Sequence, residues 1–266
     1  MREGRRRRGV YLLPSLLTIS NLLCGVYAIV AVHNDEYTRA AIAILIALIL
    51  DGLDGAVARL TNTQSDFGVQ LDSLADLVAF GVAPAILSYA WAIKPYTKMG
   101  LLFGSIIPTA LFVSSGAFRL ARFNVQTRIL DKRYFVGLPI PAAAAVIASF
   151  VLFTRESPSL VLFQRELLSD RVTSALMVVI VYVLSFLMVS PLRYRSLKGI
   201  EIKKRQPFAL LIGLTLVVLV IASEPSLVAF SSFFLYALSG VIRMILPIRR
   251  HVSEPVEHVI GGEGGP

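Results

Sequence analysis

The sequence predicts an all-α fold, a polytopic membrane helix bundle of about eight transmembrane helices, and three observations carry that expectation. Of the 266 residues, 56% are hydrophobic and 16% charged, against roughly 45–50% and about 25% in an ordinary soluble domain. The apolar residues fall in blocks close to the ~20 residues that a bilayer core requires, so the excess belongs to spans and not to one large globular core. Lys and Arg, which produce the formal net charge of +9, alternate between dense and sparse loops, as the positive-inside rule demands.

The blocks lie at 11–32, 40–58, 71–93, 100–121, 138–153, 172–192, 207–222 and 227–247. The first follows Arg2 and Arg5 to Arg8 and resembles a secretory leader in outline. It is long enough to span and has no small-residue cleavage site, so it is expected to stay as the first helix. An even number of spans puts both termini on one side. With the N-terminus in the cytoplasm, twenty of the 26 Lys and Arg residues lie inside, leaving Arg39, Lys94, Lys98, Arg155, Arg165 and Arg171 outside. The basic balance therefore reports topology and contact with anionic headgroups. Nucleic-acid binding is disfavoured, because no basic module interleaved with aromatics is present. Such an orientation suits a bacterial-type inner (cytoplasmic) membrane.

Without a convincing internal repeat, residues 1–247 read as a single integral membrane domain. The outer segment 154–171 is expected to carry a short interfacial helix, and the Gly- and Pro-containing tail 248–266 to be disordered. One cysteine, Cys24, excludes a disulfide framework and a cysteine-based metal centre. His33, His251 and His258 are scattered, which argues against a histidine metal site or a Ser-His-Asp hydrolase. Trp91 and Tyr96 fit an outer aromatic belt.

Four acidic residues stand apart. Asp51, Asp54, Asp72 and Asp76 lie at the facing ends of the second and third spans, where an ionisable group costs about 2.5–3.5 kcal/mol even on the lenient insertion scale. Spacings of three and four put each pair on one face of its helix. The polar link between the spans, with Thr61, Asn62, Thr63, Ser65, Asp66 and Gly68, folds the third span back so that all four carboxylates can converge. Carboxylates so placed repel unless a cation lies between them. Oxygen donors suit Mg²⁺ or Mn²⁺, and two such ions about 3.5–4 Å apart clamp a phosphoryl displacement. Gly52, Gly55 and Ala56 permit close approach of a backbone or a flat ligand. Helix packing alone explains those small residues about as well, but not their interleaving with Asp51, Asp54 and Arg59, where a cation can meet a phosphate.

Written out, Asp51-Gly52-Leu53-Asp54-Gly55-Ala56-Val57-Ala58-Arg59, then eight residues, Gly68, three, Asp72, three and Asp76 resembles the signature of the CDP-alcohol phosphatidyltransferases. Every fixed position of that pattern is present. The resemblance implies a six-helix catalytic core, here about 11–192 with two extra C-terminal spans about 207–247. It also implies a cytoplasmic active site, divalent metal dependence, and a reaction in which an alcohol attacks a CDP-linked lipid and CMP leaves. Carried onto this chain, it makes Asp51, Asp54, Asp72 and Asp76 metal ligands, with Asp76 also the general base. Gly52, Gly55, Ala56, Arg59 and Gly68 would line the CDP part. The segment Pro14-Ser15-Leu16-Leu17-Thr18-Ile19-Ser20-Asn21 looks like the family's opening helix, with Thr18 and Asn21 as nucleotide contacts; interhelical hydrogen bonding explains this pair equally well.

Two segments bear on the acceptor: Phe118-Arg119-Leu120-Ala121-Arg122-Phe123-Asn124 and Gly137-Leu138-Pro139-Ile140-Pro141-Ala142-Ala143-Ala144. Both resemble the serine-specific branch of the family, which implies CDP-diacylglycerol and L-serine as substrates. Arg119 and Arg122 at a helix end can grip serine's carboxylate or a phosphate; the alternative is that they only obey the positive-inside rule. Glycerol 3-phosphate and inositol stay open as acceptors. An intramembrane prenyltransferase would separate its acidic motifs more widely, and a cation transporter would place carboxylates near the midplane on discontinuous helices. Small residues on several spans permit a homodimer, as the resemblance suggests.

Overall fold

A computed structural model describes residues 3–61, 65–94, 106–126, 134–156, 170–195 and 224–245. The first helix, α1 (Glu3–His33), turns back into α2 (Tyr37–Leu60) through three residues. Asp35 takes the left-handed conformation at φ 60°, which a short polar side chain tolerates better than most. Glu36 N donates to Ala31 O at 2.9 Å and Asp35 N to Val32 O at 3.0 Å, so the turn satisfies the last carbonyls of α1. The two helices pack along their length on a buried row of small residues, Ala28 and Ala31 against Ala40, Ala43 and Ala47. With no hydrophobic gain available between helices in lipid, such close backbone approach supplies the packing.

The third spanning helix, α3, begins at Asp66 and runs to Ile93, 28 residues long. Ser65 caps it, its Oγ accepting from Gly68 N at 3.0 Å. Its course is not uniform: Asp66–Asp76 is α-helical, Leu77–Val82 widens to a π-helix, Ala83–Ser88 returns to α, and Tyr89–Ile93 is again π. Pro84 supplies a reason for the first widening, because it has no N–H and its ring would clash with the carbonyl four residues back. The first widened stretch starts directly after Asp76.

Next come α4 (Ile107–Gln126), α5 (Ile140–Glu156), α6 (Asp170–Val189) and α7 (Pro225–Ile245). Residues 143–151 of α5 are buried on every side, which makes α5 the central post of the bundle. Within it, Ser149 and Thr154 donate to the carbonyls of Ala145 and Phe150 at 2.6 and 2.9 Å, so neither hydroxyl is stranded. A ribbon of three residues per strand, absent from the expected elements, pairs β1 (Tyr134–Val136) with β2 (Arg193–Arg195) in antiparallel register, Phe135 opposite Tyr194. It ties the chain leading into α5 to the chain leaving α6. Gly137 follows at φ +82°, where a side chain would run into the Met188 carbonyl oxygen.

Among the described residues, five helices are long and apolar enough to cross a membrane: Ser15–His33, Tyr37–Ala58, Asp66–Ile93, Arg171–Val189 and Pro225–Ile242, with Ile140–Arg155 shorter. Large apolar side chains such as Leu23, Leu53 and Phe186 face outward. On a protein in water they would form an oversized exposed patch; on a membrane protein they meet lipid. The architecture is that of an all-helical integral membrane protein. The expected spans 11–32, 40–58, 138–153, 172–192 and 227–247 each coincide with a helix, while the third helix starts five residues earlier than expected, drawn back by the Ser65 cap. The fourth overshoots its expected end by five residues, carrying Arg122 and Asn124 into helix. The expected span 207–222, most of the segment 154–171 and the tail 248–266 lie outside the described residues.

Candidate active site

Because α2 ends at Leu60 and α3 begins at Asp66, their acidic ends face each other across a short link. Three carboxylates converge there: oxygens of Asp51, Asp72 and Asp76 lie within 4.8 Å of one another. Asp51 and Asp72 are half-buried and Asp76 buried. The expected fourth member, Asp54, is also buried but is turned toward α1, where its Oδ2 accepts from Thr18 Oγ1. It stays within electrostatic reach of Asp72.

The opening helix supplies a second anchor. Asn21, fully buried, donates from Nδ2 to Asp76 Oδ1 at 3.1 Å, and its own Oδ1 has no partner among the described residues. Thr18 and Asn21, three apart on one face, thus each hold one aspartate. Gly25, one turn beyond Asn21, makes this possible: a Cβ on Gly25 would stand 2.7 Å from the Ala79 Cα. Only glycine lets α1 cross α3 so closely that an asparagine can span the gap. The sequence reading singled out Asn21 but not Gly25; the spacing Asn21 to Gly25 against Asp76 to Ala79 was the available signal.

From α4 comes a cation. Arg119 is 8% exposed, within electrostatic reach of Asp76 and Asp51, and its guanidinium carbon lies 5.4 Å from the Phe123 ring centroid. Among the described residues its buried Nε has no hydrogen-bond partner, which suits a donor to a bound acceptor. Arg122, the expected companion, is exposed on another side of the helix. The segment also contains a link that went unnoticed in the sequence: Asn124 Nδ2 donates to Ser73 Oγ at 2.9 Å, fastening α4 to α3 between Asp72 and Asp76. Gly116, one turn before Arg119, sits so close to α5 that an added Cβ would be 2.5 Å from Ile140 Cδ1.

The small residues differ in what surrounds them. A Cβ at Gly52 would meet no atom of the described residues within 4 Å, so their packing does not require glycine there. Gly68 is set by the cap, with Ser65 Oγ 3.1 Å from where its Cβ would lie. Gly55 and Ala56 are half-buried on α2. Arg59 occupies the last turn of α2, and its side chain lies outside the described residues.

Comparison with known proteins agrees with this geometry. Residues 11–183 match the model of the CDP-alcohol phosphatidyltransferase family, and the chain belongs to that family. It is 39% identical over 237 residues to the CDP-diacylglycerol–serine O-phosphatidyltransferase of Helicobacter pylori strain J99, covering 89% of this chain and 92% of the relative. The Bacillus subtilis protein of the same name is 40% identical over 140 residues, 52% of this chain and 75% of its own. An archaetidylserine synthase of Methanothermobacter thermautotrophicus is 42% identical over 142 residues, 53% of this chain and 58% of its own.

Proposed function

We propose that the protein transfers the phosphatidyl group of CDP-diacylglycerol to the hydroxyl of L-serine, giving phosphatidylserine and CMP. The observation that carries this reading is the meeting of Asp51, Asp72 and Asp76 beside the buried Arg119, in a chain that covers nearly the whole length of a serine-specific relative.

The donor set fits a divalent cation: several carboxylate oxygens converge from two helices, and like charges at this spacing call for positive charge between them. Asp51, Asp72 and Asp76, with Asp54 alongside, would hold Mg²⁺ or Mn²⁺, in one or two sites. When bound, the metal neutralises diphosphate charge and stabilises the charge that develops on the leaving oxygen.

The chain's own groups do the remaining work. The serine hydroxyl oxygen attacks the phosphorus that bears the diacylglycerol; the bond from that phosphorus to the bridging oxygen breaks, and its electron pair leaves with CMP. Asp76 takes the hydroxyl proton through Oδ2, while Asn21 fixes its rotamer through Oδ1. Thr18 does the same for Asp54, and such outer partners of a metal site orient its ligands. Gly52 leaves space along α2 for the CDP moiety, with Gly55, Ala56, Gly68 and Arg59 along its course and Thr18 and Asn21 below it. Arg119 pairs with the serine carboxylate. The exposed Arg122 is assigned to anionic headgroups or approaching substrate. The site faces the cytoplasm, where CDP-lipid, serine and CMP exchange with soluble pools, as the loop charges indicate.

The test is incorporation of radiolabelled serine into lipid by purified protein in detergent or liposomes, with CDP-diacylglycerol and Mn²⁺ or Mg²⁺. Glycerol 3-phosphate and inositol run in parallel, with CMP release recorded. Serine-dependent CMP release with labelled lipid supports the proposal. Release with another acceptor alone rejects the serine reading of Arg119, and no release from folded protein rejects the reaction.

A further inference from the structure

We propose that the side-chain oxygen of Asn21, on α1, receives the ammonium group of the acceptor and so selects an amino acid over a plain hydroxy acid or a polyol. The inference rests on the serine reading above and names the group that recognises serine's nitrogen.

Three buried side-chain atoms lack a hydrogen-bond partner among the described residues: Asn21 Oδ1, Arg119 Nε and Thr109 Oγ1. Two of them belong to the candidate active site, and they are of opposite kind, one an acceptor and one a donor. Asn21 is fully buried and Arg119 only 8% exposed. A polar atom so enclosed within a bilayer finds no bulk water and calls for a partner that enters the site. An α-amino acid brings the complementary pair, a carboxylate for the guanidinium and an ammonium for the amide oxygen.

Which atom of Asn21 is left over follows from its neighbour. A carboxylate only accepts, so the Asn21 atom 3.1 Å from Asp76 Oδ1 is the amide nitrogen. Oδ1 shares the amide plane, about 2.3 Å from Nδ2, and therefore lies no more than about 5.5 Å from Asp76 Oδ1. Asp76 is the group assigned to the acceptor's hydroxyl proton, and in serine the hydroxyl and the ammonium stand on adjacent carbons. A hydroxyl held at Asp76 brings the ammonium into the neighbourhood of Asn21 Oδ1. Arg119 approaches from α4, which the 2.9 Å bond from Asn124 to Ser73 fastens to α3. The carboxylates are poorer partners for the ammonium, because a cation bound among them repels a second positive charge. A neutral amide oxygen beside the cluster accepts without competing for that cation.

The probe is 3-hydroxypropionate, which keeps serine's hydroxyl and carboxylate and lacks only the ammonium. Its inhibition constant against serine is measured from CMP release by purified protein, beside the serine KM, in wild type, Asn21→Ala and Asn21→Asp. Losing a hydrogen bond to a charged group weakens binding about ten- to a hundredfold. Wild type should accordingly bind 3-hydroxypropionate at least about tenfold more weakly than serine. Asn21→Ala should raise the serine KM by about that factor and leave the inhibition constant of 3-hydroxypropionate within about twofold, so that the discrimination disappears. Asn21→Asp loses the donor to Asp76 but keeps an oxygen for the ammonium; its kcat should fall while the preference for serine remains. Equal affinity of wild type for the two compounds overturns the inference without any variant. So does an equal weakening of both in Asn21→Ala, the result expected if Asn21 serves only Asp76 or a buried water, and so does loss of the serine preference in Asn21→Asp. Wild-type CMP release with glycerol 3-phosphate or inositol and none with serine overturns the serine reading itself.

Discussion

Replacing Gly25 with alanine tests whether the active site depends on how closely α1 crosses α3. The added methyl carbon would lie 2.7 Å from the Ala79 Cα, a backbone atom that cannot rotate away. Carbon atoms settle at about 3.5–4.0 Å, so the helices must separate by roughly 1 Å. Overpacking of this kind costs about 1–3 kcal/mol, against at most about 1 kcal/mol returned by the better helix propensity of alanine, so the net effect is destabilising. Asn21 is one turn away and bonds Asp76 at 3.1 Å. A similar displacement carries that pair beyond hydrogen-bonding distance, which ends near 3.5 Å. Losing an outer partner of a metal-site carboxylate typically costs 10- to 100-fold in activity or metal affinity, and about 1 Å of misplacement is worth a similar factor. Gly25→Ala should therefore lower kcat for serine-dependent CMP release by about 10- to 100-fold, at saturating substrates and in protein still folded by thermal unfolding. Gly52→Ala is the contrast, since its methyl would meet no atom of the described residues within 4 Å: stability should hold while the KM for CDP-diacylglycerol rises. A Gly25→Ala enzyme with wild-type kcat would refute the reasoning, because the helix crossing would not be setting the position of Asp76.

Asp76→Asn should abolish turnover while the folded protein still binds CDP-diacylglycerol in the presence of Mn²⁺, measured by equilibrium binding; near-normal turnover would remove Asp76 as the base. Arg119→Ala should raise the serine KM more than the CDP-lipid KM, whereas the exposed Arg122→Ala should change either by less than about threefold; the reverse order would put the acceptor contact on Arg122. Treatment with EDTA should stop CMP release and added Mn²⁺ or Mg²⁺ restore it, and full activity in chelator would remove the metal role of the carboxylates.

The carboxylate cluster was legible in the sequence because its physics is local. Charges inside apolar sequence are costly, and spacings of three and four fix which face of a helix they share. What spacing cannot give is the rotation of one helix against another. The four aspartates were expected to converge together, and the structure brings three into one group while Asp54 turns to Thr18. Arg119 and Arg122 were equivalent as two basic residues at a helix end; the packing of α4 buries one and exposes the other. The third span read as a uniform apolar block although Pro84 was in plain view, because the response of a helix to proline depends on what its neighbours allow. Pro139 and Pro141 flank the start of α5 at Ile140, where a fixed φ suits a helix entry, while the ribbon just before it has too few residues for any strand periodicity to register.

Two of the site's polar side chains, Asn21 and Arg119, each have a tightly packed glycine about one helical turn away. Gly25 follows Asn21, and Gly116 precedes Arg119. Asparagine and threonine are short; their side chains bridge helices only where the backbones come closer than a leucine or valine interface allows. In a bilayer no water lies ready to fill a wider gap, so a carboxylate must meet a partner side chain, a bound cation or a substrate. Through α1 the protein restrains Asp54 and Asp76, the latter across the crossing that Gly25 permits. Asp72 lies one turn before Asp76 on the same face of α3, beside the neutral pair Ser73 and Asn124 that fastens α4. It is the carboxylate whose orientation should follow the bound cation most closely, and Asp72→Asn should accordingly weaken Mn²⁺ binding more than Thr18→Val does. If Thr18→Val weakened it more, Asp54 and not Asp72 would dominate the metal's hold.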